Sequence, residues 1–166
     1  MAKIAENKIY MQARRKYVGG LVILGGIVRI MSVDYGLKRI GIALSDMLQI
    51  TVSPFDTIGS ENPSINAKKI IEIAKNNEVS EIVVGIPVNM SGSEGSMVKI
   101  IRLFIDELKR ISDLPIETIN ESLSTVEAQE FLADRSKKLN IKDKGGKDKI
   151  AAALILQRYM EKKCAI

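Results

Sequence analysis

Three acidic residues stand where their type and position could do chemistry: Asp34, Glu121 and Asp148. Asp34 ends an otherwise apolar stretch, Ile30-Met31-Ser32-Val33, just before Tyr35-Gly36. Burying a carboxylate there costs several kcal/mol unless it is paired or binds a cation. A structural aspartate capping the Tyr35-Gly36 turn is the competing explanation. Glu121 lies just past a second apolar-alternating stretch and could equally be an exposed loop glutamate. Asp148 stands where a helix is expected to begin, and a plain N-cap would explain it. Taken together the three mean more. Parallel strands of one sheet end at the same edge, where ligands gather. In this element order the ends of the first and fifth strands can lie side by side, and the last helix can bring in Asp148. Three converging carboxylates repel one another at neutral pH unless divalent cations sit between them. Oxygen ligands of this kind select Mg2+ or Mn2+. Two such ions about 4 Å apart form the clamp used for in-line hydrolysis of phosphodiesters.

Composition narrows the alternatives. The 166-residue chain has no histidine, which removes histidine bases, nucleophiles and metal sites. Its one cysteine, Cys164, can make no internal disulfide, and this points to a reducing cytoplasm. Hydrophobic residues make up 46% and charged residues 27%, ordinary for a globular domain and foreign to disordered or collagen-like chains. The apolar run from Val18 to Val28 is too short to span a bilayer, which takes about 20 residues, so no membrane partner is expected.

The formal charge of +5 is unevenly spread. Residues 1–27 hold Lys3, Lys8, Arg14, Arg15 and Lys16 against Glu6 alone. These residues are expected to be a mis-annotated upstream extension. Gly25-Gly26 would be a translated ribosome-binding site and Val28 a GUG start, which N-terminal sequencing of the native protein decides. The second basic stretch runs from Arg135 to Lys149, with Lys137, Lys138, Lys142, Lys144 and Lys147 between them, against Asp143 and Asp148. A lysine-rich loop of this kind can grip a phosphate backbone; it can also be a solvated loop that maintains solubility.

Hydrophobic periodicity supplies the elements that must position these groups. Alternation over 28–34, 39–44 and 49–58 predicts three antiparallel strands, the third at an edge because Pro54 lacks an amide donor. Helical spacing follows over 64–76, and EIVVGI (81–86) reads as a strand buried on both faces. A helix over 96–111, a fifth strand over 115–120, a capping box at Ser124–Glu127 and a last helix from Asp148 to about Lys162 complete the order. The result is an α/β domain over 28–163, a mixed five-stranded sheet with helices on both faces.

Four blocks carry a resemblance. VDYGLKRIGIALSD (33–46), GIPVNMSGSEG (85–95), NESLSTVEA (120–128) and DKIAAALILQRYM (148–160) resemble, in order, the signatures of the Holliday-junction-resolvase-like, pre-16S rRNA nuclease family. That family has the ribonuclease-H-like fold. The resemblance implies that Asp34, Glu121 and Asp148 bind metal and that Asp34 is shared between ions. It implies phosphate contacts at Lys38 and Arg39 and nucleic-acid contacts at Asn89, Ser91, Ser93 and Glu94; the charge of the basic segment, independently, makes Lys142, Lys144 and Lys147 candidates for nucleic-acid binding. Asn120, Ser122 and Ser91 depart from the family pattern, which usually has Asp, Arg and Asp there. The expected activity is a hydrolase: a metal-dependent endonuclease trimming the 5′ end of pre-16S rRNA in the cytoplasm. Cleavage of branched DNA, or non-catalytic binding to ribosomal or transcription complexes, are the alternatives. A monomer and a homodimer are both compatible with the sequence.

Overall fold

The computed structural model describes residues 17–18, 21–22, 28–87, 95–121 and 144–164. Outside them lie the expected helix from Ser124, the glycine-rich loop with Asn89, Ser91, Ser93 and Glu94, and the basic residues Arg135, Lys137, Lys138 and Lys142. Most of residues 1–27 lie outside as well. Within that stretch, β1 (Tyr17–Val18) and β2 (Leu21–Val22) form a small antiparallel ladder of their own.

The domain is built on β3 (Arg29–Tyr35), β4 (Arg39–Ser45), β5 (Val52–Gly59), β6 (Val79–Pro87) and β7 (Ile116–Glu121). These form one mixed sheet in the order β5-β4-β3-β6-β7. β3, β4 and β5 are antiparallel, while β6 joins β3 and β7 joins β6 in parallel. The alternating β-α-β connections force this, because parallel neighbours need a crossover. As expected, β5 is an edge strand, and its register slips between Ile42 and Ala43 of the partner, next to Pro54. It begins later than periodicity suggests. Asp46 Oδ1 accepts from Ile50 N at 2.6 Å and Thr51 N at 2.7 Å, holding Met47–Ile50 in a turn.

Helices α1 (Pro63–Asn76) and α2 (Ser96–Ile111) cover one face. Asn62 caps α1 through Ile65 N, and Pro63 occupies the first helical position, where its missing donor costs nothing. Odd-numbered Met31, Val33 and Tyr35 pack with Phe104, Ile101 and Ile70 in the larger core. Even-numbered Ile30 faces the other way, with Ala43 and Val83, against Ala152, Ala153, Ile155 and Leu156 of α3 (Lys144–Cys164). This period-2 split is what a strand buried on both faces must show.

The last helix departs from expectation. It starts at Lys144, not at Asp148, so Asp148 sits in its second turn and is not an N-cap. Lys144 and Lys147 are therefore helical, although Gly145-Gly146 disfavours helix by about 1 kcal/mol per glycine. Docking outweighs propensity: Thr57 Oγ1 donates to the Gly145 carbonyl at 2.6 Å. Further along, the fully buried Ser32 donates to the Ala152 carbonyl at 2.6 Å. At the far end Tyr159 Oη donates to buried Glu81 at 2.5 Å, and Lys163 pairs with the same carboxylate. Among the described residues no helix is long and apolar enough to cross a membrane.

Candidate active site

β3 delivers Asp34 to the sheet edge on the α3 side, the face it shares with Ile30 and Ser32. In the antiparallel register Asp34 stands opposite Gly41. That glycine decides the geometry. A Cβ there would sit 2.1 Å from the Asp148 carbonyl oxygen and 2.4 Å from its carbon. Only a glycine lets the backbone of α3 come this close to β4. Its signal in the sequence is a lone glycine inside an apolar strand, a mark of close backbone approach. The position carries no weight in a search for chemical side chains.

Arg39 lies two residues before Gly41, on the same face. Its Nε donates to Asp148 Oδ2 in a charged pair. The resemblance implies a phosphate contact for Arg39; the structure has it engaged with a carboxylate. Neither partner is fully sequestered, with side chains 37% and 28% exposed. Lys38 is exposed in the preceding turn, and Lys147 is exposed on the first turn of α3.

The turn is gripped from the opposite face. Gly36 N donates to Arg39 O at 3.0 Å, and Ser60 N donates to Lys38 O at 3.1 Å. Ser60 is held in turn by Asn66, a fully buried side chain on α1. The Asn66 amide also donates to Tyr35 Oη at 2.7 Å and to Glu61 O at 3.0 Å, and accepts from Glu61 N at 2.9 Å. Asn66 is polar in an otherwise ordinary helical pattern, and nothing in the sequence marks it.

Electrostatically, Asp34 is the unusual group. Its carboxyl is pushed up to about 6, chiefly by burial and secondly by the Asp148 carboxylate. Among the described residues its carboxylate accepts no hydrogen bond. A partly buried, unpartnered carboxylate next to a second one offers donors that could hold a hard cation: oxygen only, anionic, with no sulfur or imidazole.

Glu121 is the last residue of β7 and pairs in register with Pro87. It does not lie beside β3, because β6 intervenes. Val33 pairs with Val84, which sets Asp34 alongside Gly85. Gly85 pairs with Ile119, two residues before Glu121. The Glu121 backbone is thus two strands across from Asp34, roughly 10 Å laterally, at the same sheet edge. Sequence reasoning has the two strand ends adjacent; in the sheet the fourth strand, β6, lies between them. Among the described residues the structure brings together two carboxylates, Asp34 and Asp148, and no group of three metal-ligating side chains. The side chains of Glu121 and Lys144 lie outside the description, as do Asn89, Ser93 and Lys142 entirely.

Comparison with known proteins agrees with this architecture. A family profile described as RuvX: Holliday junction resolvase matches residues 28–162. A protein of Endomicrobium trichonymphae named "Putative pre-16S rRNA nuclease" is 52% identical over 133 residues, 80% of this chain and 95% of the relative. A relative of the same name from Halothermothrix orenii is 44% identical, covering 80% and 94%. Among solved structures, T. thermophilus RuvC in complex with Holliday junction substrate superposes with a TM-score of 0.55 at 9% identity, covering 82% of this chain and 96% of that one. Fowlpox virus resolvase with substrate Holliday junction DNA gives 0.52 at 17%, covering 82% and 99%. At such identities the likeness is one of fold.

Proposed function

Because the chain belongs to the RuvX Holliday junction resolvase family, we propose that it is a divalent-metal-dependent endonuclease that processes the 5′ end of pre-16S rRNA. The observation that carries this reading is the juxtaposition of Asp34 and Asp148 at the sheet edge, with Asp34 partly buried, unpartnered and raised to about 6. The names of the relatives support the choice of rRNA as substrate. Mg2+ or Mn2+ would be held by Asp34, Asp148 and Glu121. When bound, the divalent ion supplies a water nucleophile at neutral pH and charge neutralisation at the phosphate.

The chain's own residues do the rest. Gly41 sets how closely Asp148 approaches Asp34. Asn66, through Ser60, holds the Lys38–Arg39 turn from behind, so that Lys38 faces the incoming backbone. Lys147, with Lys142 and Lys144, would neutralise phosphates alongside, and Asn89 and Ser93 would contact the nucleic acid from the loop after β6. Such contacts set register and affinity more than sequence preference. The protein would act in the cytoplasm, as a monomer or homodimer.

Cleavage of branched DNA is the second reading, favoured by the description of the family profile. The two are separated by presenting precursor rRNA and a four-way DNA junction to the protein under identical Mg2+ and salt. Faster cleavage of the junction overturns the rRNA assignment. Cleavage of either substrate at parental rate by Asp34→Asn overturns the site itself.

A further inference from the structure

Two ions are the expectation from three converging carboxylates, yet one of those carboxylates, Asp148, already pairs with a cationic side chain. Arg39 Nε donates to Asp148 Oδ2, on the face that carries Asp34. From this we infer that Arg39 is a built-in second cation: the site takes one divalent ion, and the guanidinium replaces the other at the phosphate. The inference rests on the nuclease reading above and specifies its catalytic groups.

Three observations carry it. The first is charge. Arg39 offsets Asp148, so a second dication on Asp148 would either displace the guanidinium or face it at close range; Coulomb repulsion opposes both. The second is the donor inventory. A guanidinium has five N–H donors in a planar fork, and among the described residues only Nε is engaged. Among the described residues the Nη groups make no hydrogen bond. They remain available for the two-pronged contact with phosphate oxygens that suits arginine. The third is restraint. Arg39 starts β4, and its carbonyl accepts from Gly36 N while Ser60 holds the neighbouring carbonyl of Lys38. Asp148 is fixed in turn by the packing of α3 on Gly41. A charge held this way is pre-organised, so little reorganisation is needed when negative charge develops on the phosphate. The phosphate contact implied by the sequence and the carboxylate contact seen in the structure are then made together, Nε to Asp148 and the Nη edge to the nucleic acid. Asp148 also keeps Oδ1 for the single ion.

Counting ions tests this without measuring cleavage. Mn2+ is titrated into the full chain and the bound fraction read by electron paramagnetic resonance, alone and with a phosphorothioate RNA hairpin present. One ion per chain is expected for the parent in both conditions. Arg39→Ala should bind two in the presence of RNA, because the vacated place regains its negative charge. Arg39→Lys should still bind one, since the charge persists, yet lose about tenfold or more in RNA affinity with the fork gone. Circular dichroism of each variant guards against misfolding, and Lys38→Ala, which removes a neighbouring charge outside the pair, should stay at one ion. Two ions in the parent, or one in Arg39→Ala, overturns the assignment while leaving the metal-dependent reading intact. No ion in any variant overturns that reading, and this inference with it.

Discussion

Asp34 has measurable consequences before any substrate is added. Its carboxyl is raised from 3.8 to about 6, so the folded protein binds this proton more tightly than the unfolded chain does. The stability it contributes is fully present below about pH 4 and is lost as pH rises through about 6. Metal-free protein should therefore lose up to about 3 kcal/mol across that window, and Asp34→Asn should not. At pH 7 the variant should melt higher than the metal-free parent, with the gap closing at pH 4. Equal melting temperatures at pH 7 would mean that Asp34 has a partner or is solvated. Cleavage by Asp34→Asn should fall by about 3 kcal/mol or more in activation terms, at least a hundredfold. Gly41 is the silent counterpart. Gly41→Ala forces a Cβ to within 2.1 Å of the Asp148 carbonyl, so α3 must shift. A loss of about 1–3 kcal/mol in chemical denaturation is expected, together with loss of cleavage. Unchanged stability would show that α3 does not depend on this close approach. The sequence makes Asp34 conspicuous and leaves Gly41 inconspicuous, because only side chains advertise chemistry.

Among the elements, α3 has the most to do. It is anchored at three depths: Gly145 by Thr57, Ala152 by Ser32, and the C-terminal end by Glu81 with Tyr159 and Lys163. Glu81 is 5% exposed, and truncating one partner of a buried ion pair costs about 3–5 kcal/mol. Glu81→Ala should destabilise by that order in thermal or denaturant melts. It should spare cleavage well below the melting temperature, since Asp148 and the anchor at Gly145 lie at the other end of α3. Loss of cleavage in a fully folded variant would show that the far anchor sets the position of Asp148. Strand and helix periods were readable because burial on one or both faces leaves a repeat of 2 or 3.6. The start of α3 was not. Gly145-Gly146 reads locally as a break, and the contact that overrides it comes from Thr57, 88 residues away. The turn at Met47–Ile50 leaves no period for a related reason: Asp46 captures the backbone amides of Ile50 and Thr51 where alternation alone extends the strand.

At the scale of the whole molecule, charge distribution matters more than the formal +5. Lys144 and Lys147 stand in the first turn of α3, and Lys142 precedes them in the sequence. Replacing all three with alanine should weaken RNA binding and flatten its salt dependence by roughly one slope unit for each phosphate left unneutralised. An unchanged slope in a filter-binding titration would reduce the segment to a solubility feature. The sheet order gives the same scale a geometric meaning. β6 separates β3 from β7, so Glu121 reaches the edge two strands from Asp34, while Asp148 arrives from the helix layer above.

The sequence by itself determined the order of the described elements from β3 to α3, the two-faced burial of the sheet and the family, because each is written in local period or in contiguous motifs. It also singled out Asp34 as a carboxylate in an apolar strand. Only the tertiary structure decided that Arg39 pairs with Asp148 and that Gly41 admits the helix. It alone showed that Asn66 braces the turn and that the fourth strand separates the first from the fifth. Those outcomes depend on contacts between residues tens of positions apart, where the sterics of one missing Cβ or the reach of one guanidinium leaves no periodic trace.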